Sequence, residues 1–248
     1  MRYSIQTVIL LCTFFSYVSA QTELNQHTPM IGQEAPSFTA TSTRGNINFP
    51  GDYWDKWKII FSHPADFTAV CSTEILELAS MQDDFEKLNT ALMVLSTDGL
   101  NSHIEWVRSL EGIEMNGKPT PEIRFPLISD SDYTISLKYG MIHTDSFSQK
   151  RDIRAVFIID PDNKVQAVFN YPSNIGRNLN EIKRTLIALQ TSKKYNVLTP
   201  ANWNPGSDVM IPSPASADEA RKLEEKKHDE LYMKQWYMWF KKLPQASR

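Results

Sequence analysis

Between about residues 31 and 190, short and mainly apolar runs alternate with stretches in which apolar residues recur every three or four positions. Lys58-Ile-Ile-Phe61, Leu92-Met-Val-Leu95 and Ala155-Val-Phe-Ile-Ile159 are runs of the first kind. They predict central strands covered on both faces, because a strand with one wet face would alternate apolar and polar residues. Asp160-Pro-Asp-Asn163 is a turn cluster, so Lys164 to Tyr171 reads as the return strand of a hairpin. Helical stretches are expected around Thr73–Leu88, His103–Leu110 and Leu179–Leu189. In the first of them Ile75, Leu78, Phe85 and Leu88 share one face. Strands alternating with helices predict an α/β fold built in layers.

The pattern changes after Gln190. Residues 197–216 carry Pro200, Pro205, Pro212 and Pro214 and predict a connector without long elements. Ser216-x-x-Glu219 is a capping box and opens a charged helix through Glu230. Continued in helical register, that helix would place Tyr232, Trp236, Trp239 and Phe240 on one face. The expected plan is a main domain over 31–190 and a smaller extension over 191–248, ending in an amphipathic helix. That helix would dock on its own core or on a dimer partner, with a membrane surface or a foreign partner as the other readings. At the opposite end, Arg2, the apolar run from Val8 to Phe15 and Val18-Ser-Ala20 read as a secretory signal over 1–20, followed by a segment over 21–30. The run is shorter than the roughly 20 residues a membrane span needs, so no transmembrane span is expected. The ending Gln245-Ala-Ser-Arg248 is not an ER-retention signal, so the expected location is outside the cell or within the secretory pathway.

Composition narrows the function. At 248 residues, 41% hydrophobic and 22% charged, the chain has room for one sizeable core and an appendage. A net charge of −3 gives no electrostatic reason to expect nucleic acid. Of two cysteines, signal cleavage removes Cys12 and leaves Cys71. A lone cysteine in an oxidising compartment is a buried inert thiol, an intermolecular bridge or a reactive nucleophile.

The segment Phe61-Ser-His-Pro-Ala-Asp-Phe-Thr-Ala-Val-Cys-Ser-Thr-Glu74 follows a predicted buried strand and precedes an amphipathic helix. Cys71 therefore falls near a helix N-terminus, where unpaired amides and the macrodipole favour a thiolate. Thr68 lies within one turn, its hydroxyl in reach of the sulfur or of a bound oxygen. Pro64 limits local flexibility. An ordinary thiol, with a pKa of about 8.5, is only a few per cent ionised at neutral pH. Lowering such a value to about 6 takes roughly 3.4 kcal/mol. A helix terminus supplies about 0.3–1 kcal/mol, and ~2 at best. A cation is needed as well, and Arg151, Arg154 and Arg177 are the candidates. Arg154 stands at the entrance of a buried strand.

Pro64-x-x-x-Thr68-x-x-Cys71 resembles the peroxiredoxin active-site motif, and the residues around it resemble the one-cysteine subfamily. The resemblance continues through Leu95-Ser-Thr-Asp98, His103-Ile-Glu-Trp106, Phe125-Pro-Leu-Ile128, Arg154-Ala-Val-Phe157, Tyr171-Pro-x-x-x-Gly-Arg-Asn178 and Thr199-Pro-Ala-Asn-Trp203. It covers residues 30 to 220, most of the chain.

This resemblance implies a thioredoxin-like α/β fold, a central mixed sheet flanked by helices with a C-terminal extension, and a peroxide-reducing thiol. By motif position Cys71 would be the peroxidatic cysteine, stabilised by Thr68 and Arg154 in a pocket shielded by Pro64. His63 matches a histidine near the sulfur, Glu74 a carboxylate that orients the arginine, and Arg177 a second arginine of the pocket. The thiolate would attack a hydroperoxide and become a sulfenic acid. With no second cysteine after signal cleavage, reduction would come from an external reductant: glutathione, a protein thiol or ascorbate. No metal, haem or flavin is implied. His27, His63, His103, His143 and His228 form no metal-spaced pair. The resemblance also suggests a homodimer through the 164–171 edge strand, with the C-terminal extensions reaching across.

Two departures stand out. Some relatives carry a lipase-like serine site, but here Lys56 stands where that serine would be and Pro50 where its histidine would be. Phospholipase activity by that route is not expected. The tail from Leu223 onward does not follow the family's usual ending. Two readings compete with the peroxidase: a secreted binding protein or holdase with an idle thiol, and a thiol–disulfide oxidoreductase. The tuned set Pro64, Thr68, Cys71 and Arg154 argues against the first, and the absence of Cys-x-x-Cys against the second.

Overall fold

A computed structural model describes residues 28–115, 117–143, 151–225 and 230–243, so the expected signal over 1–20 lies outside the described residues. Seven strands form one mixed sheet: β1 (Phe38–Ser42), β2 (Gly45–Phe49), β3 (Trp57–Ser62), β4 (Thr90–Ser96), β5 (Leu127–Ser129), β6 (Arg154–Ile159) and β7 (Val165–Tyr171). Their spatial order is β7-β6-β3-β4-β5-β1-β2. The central pairs β3/β4 and β4/β5 are parallel, and β6 runs antiparallel to both β3 and β7. The helices are α1 (Ala69–Lys87), α2 (Leu100–Glu111), α3 (Thr134–Lys138), α4 (Leu179–Tyr195) and α5 (Ala217–Glu225).

The apolar runs are central because both of their faces are covered. Ile59, Phe61, Leu92, Val94, Val156 and Ile158 point into one cluster, with Ile75, Leu78 and Phe85 of α1, Trp106 of α2, and Ile182 and Leu186 of α4. The intervening Ile60, Met93, Leu95, Phe157 and Ile159 point the other way, onto Phe38, Phe49, Ile135 and Tyr139. Strand alternation thus feeds two cores through one sheet. The expected hairpin return is β7, an edge strand that is mostly half-exposed. Asn178 caps α4 by accepting the Glu181 amide at 3.1 Å.

The C-terminal extension corrects the expected amphipathic helix. The Glu219 amide donates to Ser216 Oγ at 3.2 Å as the capping box predicts, but α5 is described only to Glu225. Residues 231–241 then form a hairpin, β9 (Leu231–Gln235) and β10 (Met238–Lys241), with β8 (Val209–Met210) on the outer side of β10. Tyr232 and Phe240, placed on one helical face by their spacing, are instead cross-strand partners with rings stacked 5.3 Å apart. Trp239 is fully buried, while Trp236 sits exposed at the turn and accepts the Trp239 Nε1–H on its carbonyl at 2.9 Å. The physical reason is that aromatic residues are strong strand formers, and an aromatic run satisfies a hairpin as well as a helical stripe. No described helix is long and apolar enough to cross a membrane.

Among the described residues, one buried carboxylate lacks a hydrogen-bond partner on either oxygen. Asp152 pairs with Ile142 in a two-residue ladder just before β6, and neither carboxyl oxygen finds a hydrogen bond among the described residues. The nearby Ser136 hydroxyl has its one proton committed to Asp130, at 2.5 Å. Burial pushes the Asp152 carboxyl well above the usual carboxylate range, the nearby Ser136 hydroxyl offsets part of this, and the charges of Asp130 and Asp98 push it up again. A raised native-state value stabilises the fold at low pH, and that contribution is lost as pH rises above the unfolded value of about 4. Asp152→Asn is therefore expected to gain stability relative to the parent as pH rises from 4.5 to 7. Urea midpoints at the two pH values measure this, and a pH-independent difference would refute it.

Candidate active site

Cys71 is the third residue of α1 and is fully buried. Arg154, the first residue of β6, lies across from it and places Nη1 3.2 Å from the sulfur. The same Nη1 donates to Glu74 Oε2 at 2.8 Å, while Nε and Nη2 both donate to the Ser173 carbonyl, at 3.0 and 2.8 Å. Glu74 is one turn after Cys71, so both side chains leave α1 on the same face. Its carboxylate also takes Arg177 as a fork: Nε to Oε1 at 2.9 Å and Nη2 to Oε2 at 2.7 Å, with the Arg177 amide adding a bond to Oε1 at 2.8 Å. Arg177 Nη1 donates to the carbonyls of Ser62 and Ala155, and its guanidinium lies over the Phe61 ring.

All four groups are buried. Burial alone would raise the Glu74 carboxyl, but the charge and hydrogen bonds of Arg177, with the charge of Arg154, hold it below its ordinary value. The cluster therefore carries two guanidinium charges against one carboxylate. The Arg154 Nη1–H is aimed at the sulfur, so a further negative charge placed there would bring the cluster to neutrality. Of the three cations considered from sequence, the structure brings Arg154 to the sulfur and Arg177 to Glu74. Arg151 donates instead to the Pro64 carbonyl at 3.1 Å and lies 3.9 Å from Asp98.

Pro64 is half-buried, on the segment between β3 and α1. Thr68 is the exposed N-cap residue of α1, and its hydroxyl donates to the Ala65 carbonyl at 2.9 Å rather than to sulfur. With its proton so engaged, its oxygen is left as an acceptor at the mouth of the site. Phe67 beside it is exposed, in the left-handed backbone region with φ 55°.

His63 follows β3 and continues its ladder by donating its amide to the Leu95 carbonyl at 3.0 Å. Its Nε2 meets Asp66 Oδ1 at 2.9 Å, and Asp66 Oδ2 meets His103 Nδ1 at 2.8 Å. His103 Nε2 faces the Ile128 carbonyl at 3.2 Å. Sequence reading missed Asp66 and His103. The i, i+3 spacing of His63 and Asp66 was a signal, but nothing in the chain links α2 to that turn. Burial would raise the Asp66 carboxyl, yet the hydrogen bonds from His103 and His63 hold it well below the usual carboxylate range. Burial lowers His63 below its ordinary value, and the bond to Asp66 recovers only part of that loss. His63, Asp66 and Asp98 also converge, with potential ligand atoms within 4.8 Å of one another. Both Asp66 oxygens are taken by imidazoles, and Asp98 Oδ2 accepts the Asp66 amide at 2.7 Å. The Asp66 oxygens and Asp98 Oδ2 are thus committed within the network, while His63 Nδ1 has no partner among the described residues.

A sulfur held by a clamped arginine at a helix start, on a helix-flanked mixed sheet, belongs to a thiol redox enzyme. Residues 31–168 match the model of the AhpC/TSA family, and residues 188–227 match that of the C-terminal domain of 1-Cys peroxiredoxin. A peroxiredoxin of Methanosarcina mazei is 47% identical over 86% of this chain and 98% of its own. The mitochondrial peroxiredoxin of Saccharomyces cerevisiae is 39% identical over 77% of this chain and 74% of its own. Among solved structures, the yeast mitochondrial 1-Cys peroxiredoxin superposes with a TM-score of 0.74 at 37% identity, over 86% of this chain and 99% of that one. A cysteine-to-serine mutant of peroxiredoxin 6 from Arenicola marina gives 0.76 at 32%, over 88% and 99%.

The chain belongs to the peroxiredoxin family and is a thiol-dependent peroxidase; the binding-protein alternative is not favoured. The match to the second model stops at residue 227, before the terminal hairpin.

The charge balance makes a stability prediction. Glu74→Gln leaves two buried guanidiniums without their carboxylate and is expected to cost about 3–5 kcal/mol. Equilibrium urea unfolding tests this, and a loss below ~1 kcal/mol would show that the cluster is not held together by this carboxylate.

Proposed function

We propose that Cys71 is the peroxidatic nucleophile and that Arg154 is the group that stabilises both its thiolate and the transition state. The observation that carries this reading is the 3.2 Å contact of Arg154 Nη1 with the sulfur inside a cluster short of one negative charge. The thiolate attacks the terminal oxygen of a hydroperoxide, a sulfur–oxygen bond forms and the oxygen–oxygen bond breaks. The leaving oxygen takes a proton to become water or an alcohol, and Cys71 becomes a sulfenic acid. Thr68 accepts from the peroxide O–H, Pro64 shields the sulfur, and Glu74 and Arg177 keep Arg154 in place. Competition kinetics with a reference peroxidase test the assignment. Cys71→Ser is expected to abolish fast reaction with hydrogen peroxide, and Arg154→Lys to slow it by about 10²–10³-fold. An Arg154→Lys rate equal to the parent's would overturn the role given to that residue.

Cys71 is the free cysteine of the described chain, so an external reductant completes the cycle. One thiol condenses with the sulfenic acid to a mixed disulfide and water, and a second thiol releases Cys71. The solved yeast relative is described as resolved through glutathione and thioredoxin systems, which supports a small or protein thiol, with ascorbate the remaining candidate. We further propose a secreted or secretory-pathway homodimer. The sequence of residues 1–20 supports the location, and the edge strand β7, bridged on its outer side by residues 32–34 at its start, supports pairing of two sheets through the remainder of its edge. Protein recovered from the culture medium is expected to begin at Gln21 and to sediment as a dimer. An intact Met1 terminus would refute the location, and a monomeric boundary the pairing.

A further inference from the structure

The turn of the terminal hairpin is a feature that the fold does not explain. Strands β9 and β10 are joined by two residues, Trp236 and Tyr237, where two-residue hairpins favour Asn, Asp or Gly. Trp236 is 60% exposed and Tyr237 47%, with their rings packed edge to face at 5.4 Å. The turn does not need those rings. Its backbone is held through carbonyls, Trp236 accepting the Trp239 Nε1–H at 2.9 Å and Tyr237 the Ser213 hydroxyl at 3.0 Å. Any two residues would supply these acceptors, so the aromatic side chains are presented outward on a fixed support.

The outer face of the same small sheet continues this surface. Val209 and Trp239 are buried on the inner side, so strand alternation turns their neighbours Met210, Met238 and Phe240 the other way. All three are half-exposed. The Tyr232 ring stacks on Phe240, and Lys234 Nζ lies 5.1 Å from the centre of that ring, which places both on the outer face.

Charge decides what such a surface fits. Residues 231–248 hold four cationic side chains, Lys234, Lys241, Lys242 and Arg248, and no acidic one, within a chain of net charge −3. Three nearby acids are set to one side. Asp208 takes the Tyr232 hydroxyl, Asp218 of α5 pairs with Arg221, and Glu224 lines the groove that Trp236 shares with α5. Tryptophan and tyrosine settle where lipid headgroups meet acyl chains, and lysines beside them meet anionic headgroups.

We propose that the hairpin turn and the outer face of β8, β9 and β10 form a docking surface for an anionic phospholipid bilayer. Trp236 and Tyr237 enter the headgroup boundary, and the cations of residues 231–248 lie against the headgroups. Docking of this kind holds the enzyme at a membrane surface without a span. It is independent of the role given to Cys71.

Vesicle flotation tests it, with purified protein carrying or lacking residues 1–20. Vesicles of phosphatidylcholine with phosphatidylserine are expected to bind both forms, and pure phosphatidylcholine to bind them far more weakly. Raising salt from about 0.1 M to 1 M is expected to release the protein. Lys234→Gln, Lys241→Gln and Lys242→Gln together are expected to weaken binding by about 10²-fold, at roughly fivefold per cation. Trp236→Ala with Tyr237→Ala is expected to weaken it by about tenfold or more. Both variants are expected to keep the parent's rate with hydrogen peroxide, which reports that they are folded. Equal binding to the two kinds of vesicle, or binding undiminished by Trp236→Ala with Tyr237→Ala, would overturn the proposal. Sedimentation of that variant examines the competing occupant: conversion of a dimer to a monomer would assign the turn to a second copy of this chain and overturn the lipid reading.

Discussion

Two arginines are buried in this protein because one carboxylate lies between them. Glu74 receives four of their hydrogen bonds, from the Arg177 backbone, the Arg177 fork and Arg154. Isolated, either guanidinium would be too costly to hold away from water. Paired, they tie three distant parts of the chain together: the first turns of α1, the start of β6, and the loop through Ser173 and Arg177 that precedes α4. The sulfur inherits its position from these ties. It sits where the cluster's surplus positive charge is felt, with Arg154 unable to turn aside because its other two donors are fixed on the Ser173 carbonyl.

The layered sheet makes such a cluster affordable. Phe61 underlies the Arg177 guanidinium, Ser62 and Ala155 accept from it, and all three belong to central strands buried on both faces. The peroxiredoxin relatives share this fold over most of their length, and the model of the family's C-terminal domain begins inside α4. The terminal hairpin lies beyond that shared part. It is nevertheless anchored, since Trp239 is buried and the Tyr232 hydroxyl donates to Asp208 at 2.8 Å.

Much of this was legible in the chain. Central strands follow from uninterrupted apolar runs, because burial of both faces leaves no other pattern. Cys71 followed from its place between a strand and a helix, and Glu74 and Arg177 came from the family motif. Spacing alone offered Arg151, Arg154 and Arg177, with Arg154 set apart only by its place at the entrance of a buried strand, since position in the sequence does not say which guanidinium meets α1. The Asp66–His103 bond was invisible for the same reason: it joins a turn to a helix 37 residues away. The terminal segment misled because Tyr232 and Phe240, eight positions apart, satisfy both a helical stripe and a cross-strand pair. Local spacing cannot choose between these, and the pairing of β10 with the distant β8 decides the matter.

The surplus charge also bears on the enzyme's failure mode. In its protonated form a sulfenic acid is neutral, so oxidation to that form removes the anion that would balance Arg154, Arg177 and Glu74. A second oxidation yields a sulfinate, which is anionic and restores the balance. The electrostatics that prepare the thiol for peroxide thus also welcome the irreversible product. Survival of the catalyst then becomes a race between the incoming reductant and a second peroxide, with the protein's own field siding with the peroxide.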